Sequence, residues 1–200
     1  AQLAIPAEPG TPPARSDPVW PLLAAALWGF AEATYFFLVP DVILSAIAIF
    51  DWRLALWACL AATAGALAGG ALMYHLGRQD TTATRDFLLR LPGIGPRMLE
   101  RVSAEVGARG LVALALGPLS GTPYKLYAVE CGLRGLPLAS FLLVSVPARM
   151  ARFALVTLLA AWLAHGAFPG WSPAVKLAAW LAAWCLFYAW YFRAVRRREA

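Results

Sequence analysis

Apolar residues come in long blocks along this chain, and the polar interruptions inside the blocks define it as much as the blocks do. The first block runs from Trp20 to Phe50 and is broken by Glu32, Pro40 and Asp41. The second, Leu54 to Leu76, is uninterrupted and long enough to cross roughly 30 Å of hydrocarbon as a helix. Between Arg78 and Arg109 the chain turns polar. In the centre of that stretch, FLLRLPGIGPRMLERV, apolar residues recur at helical intervals around Pro92, Gly93, Gly95 and Pro96, which predicts short amphipathic helices lying on a membrane surface. A third block, Leu111 to Leu133, is interrupted by GPLSGTPYK (residues 117–125) and by Glu130. The fourth, Leu136 to Ala164, contains Arg149 and Arg152, and a final block from Ala174 to Phe192 leads into the basic end RAVRRREA.

Two of these blocks do not read as simple crossings. Pro40 splits the first, and Pro118 with Pro123 splits the third, into pieces of roughly ten to twenty residues, and those around the second break are too short to span. Backbone opened by proline at membrane depth is tolerated only where protein or a water-filled cavity covers it. Each break therefore predicts a re-entrant hairpin beside a polar cavity. The second, fourth and final blocks are then the full crossings, and the 78–109 stretch shares a side with the C-terminus. Both are Arg-rich, so the positive-inside rule places them in the cytoplasm, with the N-terminus outside, or inside if the first block crosses once as a broken helix.

The order of broken block followed by spanning helix occurs twice, from opposite sides. The expected fold is an all-α integral membrane protein, an inverted repeat of re-entrant helical hairpin plus spanning helix with an extra C-terminal spanning helix. Residues 1–19, with five prolines and no apolar run, read as a disordered lead, 20–192 as one polytopic membrane domain and 193–200 as a basic cytoplasmic tail.

Composition agrees. With 61% hydrophobic and 14% charged residues the chain is far from an ordinary soluble domain, in which roughly a quarter of residues are charged. The net charge of +6 then reads through loop orientation, and nucleic acid is set aside as a partner. Cys59, Cys131 and Cys185 are odd in number and lie among apolar residues, as small hydrophobes do. His75 and His165 have no second ligand at metal spacing, so neither metal nor cofactor is expected. Trp171, Trp180, Trp184, Tyr188, Trp190 and Tyr191 read as interface belts and a lipid or packing face. Gly65 and Gly69, four apart, predict a close helix contact.

The chemistry sits in the misplaced charges. Arg149 and Arg152, three apart, share a helical face near the middle of the fourth block, where a bare cation costs at least about 2.5 to 3.5 kcal/mol. They need anionic company, and Glu32, Asp41 and Glu130 are available to counter them or to carry a proton. Paired arginines suit phosphate, and Lys125 in the second break adds a point charge. The composite fits an amphiphile with an anionic headgroup; an inorganic anion or small solute fits the charges equally well, and a static network that only holds the fold is the competing explanation. PLSGT around Ser120, with His165 as a distant base, is the one enzyme-like feature. Pro118 stands where the rhomboid protease pattern has Gly, and a non-enzyme is the preferred reading.

EATYFFLVPD (32–41), G-x3-G-x4-Y-x2-GR from Gly65 to Arg78, GPLSGTPYKLYAVECG (117–132) and RMARF (149–153) together resemble the DedA family, also called the SNARE-associated or VTT-domain family, in its YqaA-like branch. The resemblance covers about residues 20–165. It implies two oppositely oriented re-entrant hairpins meeting in a bacterial inner (plasma) membrane, and a transporter, flippase or scramblase acting on a phosphate-bearing lipid such as undecaprenyl phosphate or phospholipid in support of envelope integrity. The implied partners are membrane lipids, with homo-oligomerisation allowed. Carried over, the hairpin acid falls on Glu32, the Pro-acid step on Pro40 and Asp41, and the basic position of the second hairpin on Lys125. Many members flank the second hairpin's proline with two arginines; here only Lys125 remains, and Arg149 and Arg152 would supply the missing charge.

Overall fold

The structure, a computed structural model, describes residues 19–199, without the side chains of Thr81, Pro118, Leu119, Ser120, Arg198 and Glu199. All but the last residue of the expected Pro-rich lead falls outside the described residues, and Val19 already begins a helix. Among the described residues every regular element is helical. The first block becomes α1 (Val19–Thr34) and α2 (Asp41–Phe50), and the second becomes α3 (Trp52–Gln79). The polar stretch folds as two short helices, α4 (Thr81–Leu89) and α5 (Pro96–Arg109), as its periodicity predicts. The third block forms α6 (Leu111–Ser120) and α7 (Tyr124–Leu133), the fourth α8 (Leu138–Trp162) extended by a π-turn over Leu163–Ala167, and the last α9 (Pro173–Glu199). Trp52–Gln79, Leu138–Ala167 and Pro173–Arg197 are long and apolar enough to cross a membrane, the three crossings expected.

Local chemistry sets the boundaries. Asp51 ends α2 and caps α3, its carboxylate accepting from the Arg53 and Leu54 N–H groups at 2.9 and 3.0 Å, so the chain passes between these helices through a single residue. Gly110 closes α5 at φ 55°, and Gly121 closes α6 at φ 72°, a left-handed conformation that favours glycine. The second break therefore lies at Gly121–Pro123, and Pro118, expected to open it, stays within α6. Pro147 likewise sits inside α8 without ending it. The tail from residue 193 is a continuation of α9.

α3 is the spine. A Cβ on Gly29 or Gly65 would collide with the carbonyls of Ala62 or Ala26, so α1 and the first half of α3 meet backbone to backbone, with Gly69 tight against Phe30 and Ala33. A Cβ on Gly77 or Gly132 would strike the carbonyls of Val129 or Tyr74, so the second half of α3 meets α7 in the same way. Both partners run parallel to α3, because the residue numbers rise together along each contact: Gly65 meets Ala26 and Gly69 meets Phe30 and Ala33, while Gly70 meets Tyr124 and Gly77 meets Val129. One long helix thus fixes the two broken segments relative to each other, and this positions everything that follows.

Candidate functional site: a charged cavity between the two breaks

The first break, residues 35–40, carries backbone groups that the helices on either side cannot satisfy. Three side chains from three different helices satisfy them. Lys125 of α7 donates through Nζ to the Phe36 carbonyl at 2.6 Å, Trp28 of α1 donates through Nε1 to the Leu38 carbonyl at 3.0 Å, and the Val39 N–H donates to the Tyr188 hydroxyl of α9 at 2.9 Å. Open backbone is covered by protein here, as the low-dielectric setting demands. Lys125, 2% exposed, also ties the start of α7, just past the second break, to the turn of the first, so the two breaks meet.

The expected ion pairs form, with a specific pairing. Arg149 binds Glu32 through Nη2, and both side chains are buried. Its guanidinium lies over the rings of Tyr124 and Phe153, 4.6 and 4.9 Å from their centroids, which adds cation–π attraction on either side. The Tyr124 hydroxyl in turn bonds Ser145 at 2.9 Å. Arg152 binds Asp41 through a single contact, Nη2 to Oδ2 at 2.7 Å, and leaves 27% of its side chain exposed while Asp41 is closed off. The Asp41 Oδ1 has no hydrogen-bond partner among the described residues. The arginines therefore share a face but differ in surroundings: one is sealed in packing, the other opens on a cavity.

That cavity measures about 800 Å³. Glu32, Asp41, Lys125 and Arg152 line one part, Arg101 of α5 lines another, and mostly apolar groups from the two breaks, the α4–α5 corner, α8 and α9 line the rest. A charged end beside an apolar wall suits an amphiphile better than a hydrated ion. Arg149 does not line it; it supports Glu32 from behind.

Glu130 belongs elsewhere, which corrects the expectation that it counters Arg149 or Arg152. It accepts from Arg134 Nε and from Ser103, both at 2.8 Å, and so clamps α5 onto α7 together with the Tyr127–Glu105 hydrogen bond of 2.7 Å. His165 is exposed and bonds the Ala48 carbonyl at 3.1 Å, while the Ser120 side chain lies outside the described residues. No group of three or more potential metal ligands occurs among the described residues.

The aromatic face of α9 plays a part that the sequence did not disclose. Trp180 and Trp184 donate to the Ser45 hydroxyl of α2 at 2.9 and 3.1 Å, and Ser45 bonds back to the Asp41 carbonyl at 2.5 Å. With Tyr188 these residues are spaced four apart, so a single stripe of α9 secures the helix that presents Asp41. Their spacing was visible, but nothing in it distinguished a hydrogen-bonding face from an interface belt.

No family model matches the chain, and no curated protein or solved structure matches it.

Proposed function

We propose that the chain is a membrane lipid transporter, a flippase or scramblase that moves a phosphate-bearing lipid between leaflets, with the α1–α2 and α6–α7 units acting as oppositely oriented re-entrant hairpins. The observation that carries this reading is the cavity itself: one end holds Arg152 and Asp41 beside Lys125, and its remaining wall is mostly apolar, with Arg101 set into it. Arg152 offers unspent N–H donors to a phosphate, and Asp41 holds the guanidinium in place or carries a coupled proton. The apolar wall takes the start of an acyl or prenyl chain whose remainder stays in the bilayer. Resemblance to the DedA family supports the same reading and implies a bacterial inner membrane, and the positive-inside rule favours a cytoplasmic side for the Arg-rich 78–109 stretch and the C-terminus. No catalytic role is assigned to any residue.

The test is reconstitution into liposomes and measurement of headgroup exposure of labelled phospholipids and prenyl phosphates. Acceleration over protein-free liposomes that Arg152→Gln removes is the expected result. No acceleration with any lipid overturns the proposal. A second reading, a structural or partner-organising protein, draws on the sealed Arg149–Glu32 pair, which contributes to packing whether or not a ligand binds. It requires that every loss of function track a loss of stability.

A further inference from the structure

The α4–α5 corner packs against α9: a Cβ on Gly93 would lie 3.5 Å from the Phe192 ring and 3.6 Å from the Tyr191 ring. Leu91, Ile94 and Met98 of this corner line the cavity, and so does Arg101. Arg101 stands on α5, outside the three helices of spanning length, and is half-buried. Among the described residues every other cation that lines the cavity is already engaged, Lys125 by a carbonyl and Arg152 by Asp41. Arg101 forms no ion pair among the described residues, and the acid one turn along its face, Glu105, accepts from Tyr127. Among the lining residues Arg101, Lys125 and Arg152 outnumber Glu32 and Asp41. A half-buried guanidinium on an apolar wall, in a cavity with excess positive charge, is completed by an anion.

We infer that Arg101 is a specificity-determining residue, which binds the phosphate of an amphiphile at the α5 end of the cavity and selects anionic over zwitterionic headgroups. This rests on the transporter reading for the nature of the ligand, though not for its movement. Among the described lining residues Arg101 is the one cation on a surface-type amphipathic helix, where a headgroup in the interfacial layer is reached without unfolding either break. Phosphate is the shared chemistry of a lipid headgroup and of the free ion, and the two sources are separable by experiment.

The full chain, released from a neutral detergent, is to be analysed by native mass spectrometry with equimolar phosphatidic acid and phosphatidylcholine of identical acyl chains, with and without millimolar inorganic phosphate. Arg101→Gln is expected to reduce the preference for phosphatidic acid roughly tenfold, the size of one charge-assisted hydrogen bond, and Arg101→Lys to keep most of it. Arg109→Gln, an exposed position at the end of the same helix, is expected to leave it unchanged. Preference retained in Arg101→Gln, or lost equally in Arg109→Gln, overturns the assignment of Arg101 and leaves the transporter proposal standing. No preference in the unaltered protein overturns the assignment of Arg101 as a selector of anionic headgroups, whereas the transporter proposal falls only on the liposome measurement. Displacement of the lipid by inorganic phosphate, abolished in Arg101→Gln, supports Arg101 as a phosphate contact and overturns the lipid reading. Size-exclusion profiles identical to the unaltered chain establish that each variant is folded.

Discussion

Replacing Arg149 with Met tests whether the two arginines of RMARF have different jobs. Arg149 is 2% exposed, its partner Glu32 5%, and two aromatic rings cover the guanidinium. Removing the cation alone leaves a carboxylate buried without its counter-ion, and breaking one side of such a pair typically costs about 3 to 5 kcal/mol. For a chain of this length each kcal/mol lowers the midpoint of thermal unfolding by about 2 to 4 °C, so a fall of roughly 6 to 20 °C is expected. Glu32→Met combined with Arg149→Met should recover most of that loss, because apolar residues of similar volume replace a sealed ion pair at little net cost, and the thioether at 149 keeps favourable contact with Tyr124 and Phe153. Arg152→Gln should cost less, since that side chain is 27% exposed to the cavity and the glutamine amide can still donate to Asp41. Cys59 and Cys131 are fully buried, so a thiol-reactive dye in a Cys185→Ser background reports unfolding directly. If Arg149→Met melts no lower than Arg152→Gln, or the double variant no higher than Arg149→Met, the division of roles between the two arginines is wrong.

Other expectations follow from single contacts. Gly65→Val should abolish the folded state, measured as loss of a monodisperse species in detergent, because its side chain would enter the Ala26 backbone; Gly170→Ala, with open space around it, should be silent. Trp180→Phe and Trp184→Phe should each lower stability by about 1 kcal/mol and increase the mobility of a spin label at Cys185, since each removes a bond to Ser45. Glu130→Gln should raise protease sensitivity around α5 at a cost of about 1 kcal/mol or less, its Arg134 partner being over a third exposed, and leave phosphatidic acid binding intact. Ser120→Ala and His165→Ala should retain full lipid-exposure activity; loss in either would revive hydrolase chemistry.

What the sequence disclosed were needs. Charges in apolar blocks require partners, and prolines in them require cover, so Glu32, Asp41, Arg149 and Arg152 were legible as one constellation before any geometry. Which carboxylate meets which arginine was not, because that depends on the rotation of α8 against α1 and α2. Glu130 was drawn into the same group although Arg134 lies one turn away on the same helical face, and the local pair won. Pro118 attracted the second break that Gly121 makes, because a proline near a helix end forfeits one hydrogen bond, whereas a left-handed glycine redirects the chain. Arg101 carried no signal at all: in an Arg-rich surface stretch nothing in its spacing separates the arginine facing the cavity from those facing water.

The contacts that make the cavity are the same ones that hold the breaks closed, and this couples its occupancy to its shape. Lys125 satisfies Phe36 across the two broken units, and Tyr188 accepts from Val39 while its neighbours on α9 anchor Ser45, one turn from Asp41. A phosphate drawing Lys125 or Arg152 towards it would compete directly with the Phe36 carbonyl or with Asp41, leaving buried backbone or a buried carboxylate in want of a partner. The Arg149–Glu32 pair is outside that competition and keeps α1 and α8 in register while it occurs. One fixed pair and one exchangeable pair, three residues apart on α8, is the arrangement a carrier needs in order to rearrange around a charged headgroup without losing its fold.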